Sequence, residues 1–192
     1  MPDLRKAVLI VAALNLAYFG VEFVAAVRAG SVSLFADSAD FLEDAAVNIL
    51  IFFALVWTVT RRAAVGKVLA ALLLVPALAF LWTLGAKLMH PTPPTAEALT
   101  LVGLGALAVN LTAALLLARH RKAQGSLTRA AFLSARNDAL ANVGIIAAGL
   151  VTASHPSIWP DIAVGLVIAA MNLDAAKEVW EAAHEEADQL QA

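Results

Sequence analysis

The stretch that decides the fold is "SLFADSADFLEDAAVNILIFFALVW", Ser33 to Trp57, which begins acidic and ends almost wholly apolar. No basic residue lies within it, and its acidic residues all fall in the first half: Asp37, Asp40, Glu43 and Asp44. Two interpretations are open. The stretch is either a polar loop that runs into a helix, or a helix that holds carboxylates inside a membrane for a purpose.

The composition of the whole chain favours a membrane protein. Hydrophobic residues make up 61% of the 192 residues and charged residues only 15%, and the mean hydropathy is +0.82. This leaves too little polar surface to cover a soluble globule. A helix needs about 20 apolar residues to cross roughly 30 Å of hydrocarbon. Six apolar runs approach or reach that length: Val8–Val27, Leu34–Val59, Val65–Met89, Ala98–Ala118, Ala130–Ala153 and Ile162–Leu173.

The sequence therefore predicts an all-α polytopic membrane protein with six transmembrane helices. Residues 1–175 are expected to form the transmembrane domain and residues 176–192 a short acidic cytoplasmic tail. Most basic residues fall on one side of the six-helix path, and only Arg28 and Lys87 fall on the other. The positive-inside rule then places the N- and C-termini in the cytoplasm. The first span lacks a signal-peptide cleavage pattern, so we expect it to stay as a helix in the cell (inner) membrane.

Several functional classes are excluded by what the sequence lacks. It has no cysteine, which removes disulfides and thiolate metal sites. It has no basic aromatic patch of the kind that binds nucleic acid. It has no nucleophile and base at usable spacing and no cofactor motif, so we predict no enzyme activity, no catalytic residues and no permanently bound cofactor.

The acidic residues of the second span share one helix face. At about 100° per residue, Asp37, Asp40, Asp44 and Asn48 fall within an arc of roughly 80°. For Asp37 and Asp40 the competing interpretation is that they cap the helix or stand in its first turn, where the helix dipole favours acids. Asp44 lies too deep in the span for that, so its face should point to protein or water rather than lipid.

A second polar face occurs in the fifth span. Ser134, Asp138 and Asn142 repeat at every fourth residue, with Asn137 beside them. "DALAN" at 138–142 matches "DAAVN" at 44–48, and "VNLT" at 109–112 matches "LNLA" at 14–17, which indicates a 3+3 inverted repeat. Chance similarity between alanine-rich helices is the alternative.

These two faces together predict a cation site between the second and fifth helices. The ligands would be three carboxylates, from Asp40, Asp44 and Asp138, and an oxygen of Asn137 or Ser134. Oxygen ligands suit Mg, Mn, Fe(II) or Co, and carboxylates also bind Zn. Excess negative charge would let protons replace the metal when it leaves. Accessory contacts are expected from Asp37, Asn48, Asn142 and Glu22.

The sequence resembles the cation diffusion facilitator family of divalent metal/proton antiporters. The resemblance is carried by Glu22 and by three stretches: "GSVSLFADSADFLEDA" at 30–45, "GSLTRAAFLSARNDALANVGIIAAGLV" at 125–151 and "WPDIAVGLVIA" at 159–169. In that family a His/Asp-x-x-x-Asp pair on the second helix and another on the fifth form the transport site. The first pair matches here as Asp40 and Asp44. The second matches only at Asp138, because Ser134 stands where the family has His or Asp.

The resemblance implies export of a divalent metal, Zn, Mn, Fe, Co or Cd, across the cell membrane with protons as counter-ions. Family members usually carry a cytoplasmic C-terminal domain that holds a dimer, and the short tail here is too small for it. A homodimer through the membrane helices is still expected. The alternative function is a non-transporting membrane subunit or metal sensor that uses its acidic helix faces to bind a partner. That alternative requires one of the two faces to point outward.

Overall fold

The computed structural model describes residues 2–54, 80–118 and 126–171, and this part of the chain is almost entirely helical. No strand occurs in these ranges. The helical segments are α1 Pro2–Ala29, α2 Val32–Ala54, α3 Phe80–Met89, α4 Ala96–Ala118, α5 Ser126–Ser154 and α6 Trp159–Met171. The all-α prediction is confirmed, and each segment overlaps one predicted span. The first part of the predicted third span and the predicted tail, 176–192, lie outside the described residues.

A tight turn at Gly30 joins α1 to α2. Gly30 has φ of 58°, a left-handed conformation that glycine adopts without steric cost. The amide of Ser31 donates to the carbonyl of Ala26 at 3.0 Å. This bond closes the end of α1 in the pattern of a Schellman motif. The turn makes α1 and α2 antiparallel neighbours.

The helices form two tightly packed pairs, α1 with α2 and α4 with α5, which meet through α1–α4 and α2–α5 contacts. Glycines allow the close approach within the second pair. A Cβ added at Gly103 would lie 3.1 Å from Ile146, and one at Gly149 would lie 3.1 Å from the carbonyl of Ala96. The Tyr18 hydroxyl donates to the carbonyl of Val102 at 2.6 Å and so links α1 to α4.

The outer surface of this bundle suits lipid. Two described helices, Leu4–Ala29 and Ala96–Ala118, are long and apolar enough to cross a membrane. Large apolar side chains on them point away from the bundle, among them Leu9, Leu16, Val21, Leu101, Leu104 and Leu115. Exposed apolar surface of this extent is unfavourable in water but not in hydrocarbon.

A buried carboxylate ties α6 to the start of α2. Asp161 is fully buried, and it accepts hydrogen bonds from the amides of Val32 and Ser33 at 2.9 and 3.0 Å. It also accepts the hydroxyls of Ser31 and Ser33 at 2.6 and 2.7 Å. The first amides of a helix have no partner within the helix, so Asp161 caps α2 from another helix.

Lys87 of α3 joins the same arrangement. Its ammonium lies 3.8 Å from Asp161 and also donates to the carbonyls of Gly30 and Thr92. The side chain is buried, so its charge needs this neighbouring carboxylate. α3 and α6 are thereby fixed to the end of the bundle where α2 begins. In the predicted topology this is the outer end.

Candidate metal-binding site

The carboxylate of Asp44 is the point at which α1, α2 and α5 meet. Its Oδ1 accepts the Ser134 hydroxyl of α5 at 3.0 Å, and its Oδ2 accepts the Asn15 amide of α1 at 3.4 Å. Asp44 is buried, with 7% of its surface exposed. Asp44 is surrounded by other side chains, and it lies in the middle of α2, Val32–Ala54. Its carboxylate is therefore in the interior of the bundle and not at a helix end.

Asp138 completes a pair of carboxyl groups with Asp44. Ser134 lies beside both side chains, since its hydroxyl is 3.0 Å from Asp44 Oδ1 and 3.5 Å from Asp138 Oδ2. Ser134 therefore stands between the two acids. As predicted, the second and fifth helices lie side by side at Asp44, Ser134 and Asp138.

Asp40 lies one turn from Asp44 along α2, about 6 Å at 1.5 Å per residue. It is buried, with 9% of its surface exposed, and Asp138 is among the acids that lie near enough to repel its charge. The groups that act on these acids include Asp37, Asp44 and Glu43 but no lysine or arginine in the described part of the chain. The three carboxylates thus concentrate negative charge in the bundle, and none of the basic side chains that the structure describes lies beside them to offset it.

The three carboxylates lie near one another but do not form a preformed metal site. Across residues 2–54, 80–118 and 126–171, no group of three or more His, Asp or Glu side chains is close enough to hold a metal ion. Asp44, Asp138 and the Ser134 hydroxyl meet directly, whereas Asp40 is a turn away.

Asn137 does not join this cluster. Its side chain is exposed, and its Oδ1 accepts Arg136 at 3.3 Å. Of the two residues predicted for the fourth contact, the structure brings only Ser134 to the carboxylates. Asn48 is buried below Asp44, where its amide donates to the Asp44 carbonyl at 2.8 Å, so it supports the helix and not the carboxylate.

The other accessory candidates form a separate cluster. Asn142 of α5 donates to Asp37 Oδ2 at 2.6 Å and accepts the Asn110 amide of α4 at 3.0 Å. The Glu22 carboxyl group of α1 contacts that of Asp37. The interpretation of Asp37 as a cap or first-turn acid was wrong, because α2 begins at Val32 and has no acidic residue in its first turn.

Two residues of these contacts were not assigned a site role from the sequence. In the sequence Asn15 stands out only through the repeat that it shares with Asn110, yet its amide donates to the Asp44 carboxylate. Lys87 is one of the two basic residues on the predicted outer side, and its isolation there is the signal in the sequence that it pairs with an acid. Neither residue stands at a spacing that would have named its partner, since both partners come from other helices.

Buried carboxylates facing one another between transmembrane helices define a class of protein, polytopic membrane proteins that handle ions. A family model described as the cation efflux transmembrane domain matches residues 8–184, nearly the whole chain. The chain therefore belongs to the cation efflux family, which confirms its resemblance to the cation diffusion facilitators. It is a membrane protein and a cation transporter, and the family is one of transporters and not of enzymes. No curated protein matches the chain in sequence.

Proposed function

We propose that this transporter exports a divalent transition metal from the cytoplasm in exchange for protons. The observation that carries the proposal is the contact of Asp44, Asp138 and Ser134 in the bundle interior, without a basic side chain near them among the described residues. Acids at this depth are costly to keep unless a cation or protons neutralise them. A reversible exchange of the two cations is the function that such a site supports.

The exchange follows from the charge of the site. Three carboxylates around a divalent ion leave the occupied site about one charge negative, and without the ion about three charges remain. A low-dielectric surrounding does not tolerate three uncompensated charges, so protons bind as the metal leaves. We expect at least one proton to move inward for each metal ion exported.

The ligands predict which metals are carried. Asp40, Asp44, Asp138 and Ser134 supply only oxygen, which suits Mn, Fe(II) and Co, and also accommodates Zn and Cd. Zinc sites more often include imidazole or thiolate, and the described faces of α2 and α5 carry neither. We therefore place manganese, iron and cobalt ahead of zinc and cadmium, and we expect no permanently bound cofactor.

The topology of the proposal keeps both termini in the cytoplasm, with the chain in the inner membrane and paired with a second copy through its transmembrane helices. The alternative, a membrane subunit or sensor that binds a partner through an acidic face, is disfavoured by the burial of both faces. Asp40, Asp44, Asp138 and Asn142 are all buried within the helix bundle. A partner could reach them only after the bundle opened.

The test is metal transport by the purified chain in vesicles that carry a pH gradient. Mn, Fe, Co, Zn and Cd are offered separately, and metal entry and proton flux are recorded together. Asp44→Ala should abolish both fluxes, because it deletes the carboxylate that contacts the other site residues. Glu97→Gln is the matched control, since it removes an exposed acid at the start of α4. Transport by Asp44→Ala at the unsubstituted rate would refute the site.

A further inference from the structure

A second pair of buried acids lies between α1 and α2, away from the Asp44–Asp138 pair. Glu22 and Asp37 are both fully buried, and their carboxyl groups contact each other. Asp37 precedes Asp44 by seven residues, which is about 10 Å along α2 at 1.5 Å per residue. It lies toward the end of α2 that the predicted topology places outside.

The oxygens of this acid pair lack donors. Asn142 donates to Asp37 Oδ2 at 2.6 Å. The other three carboxylate oxygens, Glu22 Oε1 and Oε2 and Asp37 Oδ1, are buried and accept no hydrogen bond from the described part of the chain. As carboxylates both groups are acceptors, so their mutual contact is a hydrogen bond only when one of them carries a proton.

The neighbouring donors are already engaged. The Tyr18 hydroxyl, whose ring lies beside this pair, donates to the carbonyl of Val102 at 2.6 Å. Asn110 donates to Asn142 Oδ1 at 3.0 Å, which fixes the Asn142 side chain with its amide nitrogen toward Asp37. Thus α4 and α5 supply a donor to one oxygen of the pair, and the other three have none among the described residues.

Burying unpaired carboxylates is strongly unfavourable. Because the three oxygens are acceptors only, they can be neutralised by binding a cation. A single shared proton would link two of them and leave the third without a partner. A divalent ion placed between the two groups would accept all three oxygens as ligands and would compensate both charges. We infer that Glu22 and Asp37 form a second cation site, which takes the transported divalent metal after it leaves the Asp44–Asp138 site on its way out.

This inference rests on the proposed function, because it supplies the next position for the same ion. Export then involves two ion positions about two turns of α2 apart. Repulsion between two ions, or between an ion and arriving protons, would favour release from the outer position. Asp40 lies between the two positions along α2, one turn from each.

The stoichiometry of metal binding tests the second site. The full chain in lipid nanodiscs is dialysed to equilibrium against Mn²⁺, and separately against Zn²⁺, and bound metal is counted per chain. We expect about two ions for the unsubstituted chain and about one each for Glu22→Gln and Asp44→Ala. We expect none for the double variant. Glu97→Gln, which removes an exposed acid, should keep two. Asp37→Asn is the second variant for the outer site and should also bind one.

The outcomes separate this inference from the proposed function. One bound ion in the unsubstituted chain, lost in Asp44→Ala and retained in Glu22→Gln, would show that the outer acids hold protons only and would overturn the second site. Two ions in both Glu22→Gln and Asp37→Asn would overturn the assignment of its ligands. Two ions in the unsubstituted chain without metal transport in vesicles would contradict the proposed function and the place of the second site in export, but would leave Glu22 and Asp37 as ligands of a cation.

Discussion

Substitution of Asp161, the carboxylate that caps α2, should destabilise the bundle more than substitution of any exposed acid. The amides of Val32 and Ser33 donate to the Asp161 carboxylate at 2.9 and 3.0 Å. Asp161→Ala leaves both amides without an acceptor. It also leaves Lys87 without the opposite charge 3.8 Å away. The serine hydroxyls of this group can rotate toward one another, since they are 3.3 Å apart, but the two amides cannot.

The size of the effect follows from those two amides. A buried donor left unpaired costs about 1–3 kcal/mol, so two of them cost about 2–6 kcal/mol of unfolding free energy. Asp161→Asn keeps one carbonyl oxygen as an acceptor and should lose roughly half as much. Glu97→Gln, an exposed first-turn acid of α4, is the control and should lose less than about 1 kcal/mol.

The measurement is unfolding of the purified chain in mixed micelles by increasing SDS, followed by the loss of helical circular dichroism. The expected order of stability is unsubstituted chain, Asp161→Asn, Asp161→Ala. An Asp161→Ala variant that unfolds within about 0.5 kcal/mol of the unsubstituted chain, the range of ordinary surface substitutions, would refute the capping role of Asp161.

The remaining predictions concern the metal-binding site. Ser134→His places an imidazole where a hydroxyl contacts both Asp44 and Asp138, and it should shift preference in competition transport toward zinc; an unchanged preference would mean that residue 134 does not face the ion. Because protons compete with metal for the carboxylates, affinity should fall steeply between about pH 7.5 and pH 6. Asp40→Asn should weaken binding and flatten that dependence in calorimetry, and an affinity independent of pH in the unsubstituted chain would contradict proton exchange. Asn15→Ala removes the amide that orients Asp44 and should weaken metal binding about 10-fold to 100-fold. Equal affinity in that variant would show that the bond has no role in binding.

The sequence alone was sufficient for the helices. Apolar runs of membrane-spanning length can satisfy their backbone groups in lipid only as helices or closed barrels, so hydropathy places the end of α1, the starts of α2 and α4 and the end of α5 within about two residues, whereas α1 begins earlier than predicted, at Pro2. The turn between α1 and α2 also has a local cause, since Gly30 adopts the left-handed conformation that ends a helix. Periodicity likewise placed Asp40 and Asp44 on one face of α2, because helical spacing is a local property.

The contacts between helices were decided by the tertiary structure. Periodicity shows which residues share a face, but the rotation of each helix about its axis depends on the neighbours against which it packs. This rotation brings Ser134 to Asp44 and leaves Asn137, three positions later, exposed beside Arg136. It also turns Asp37 from a candidate cap into a partner of Glu22. Residues that are far apart in the sequence meet in these contacts only because α1, α2, α4 and α5 pack together.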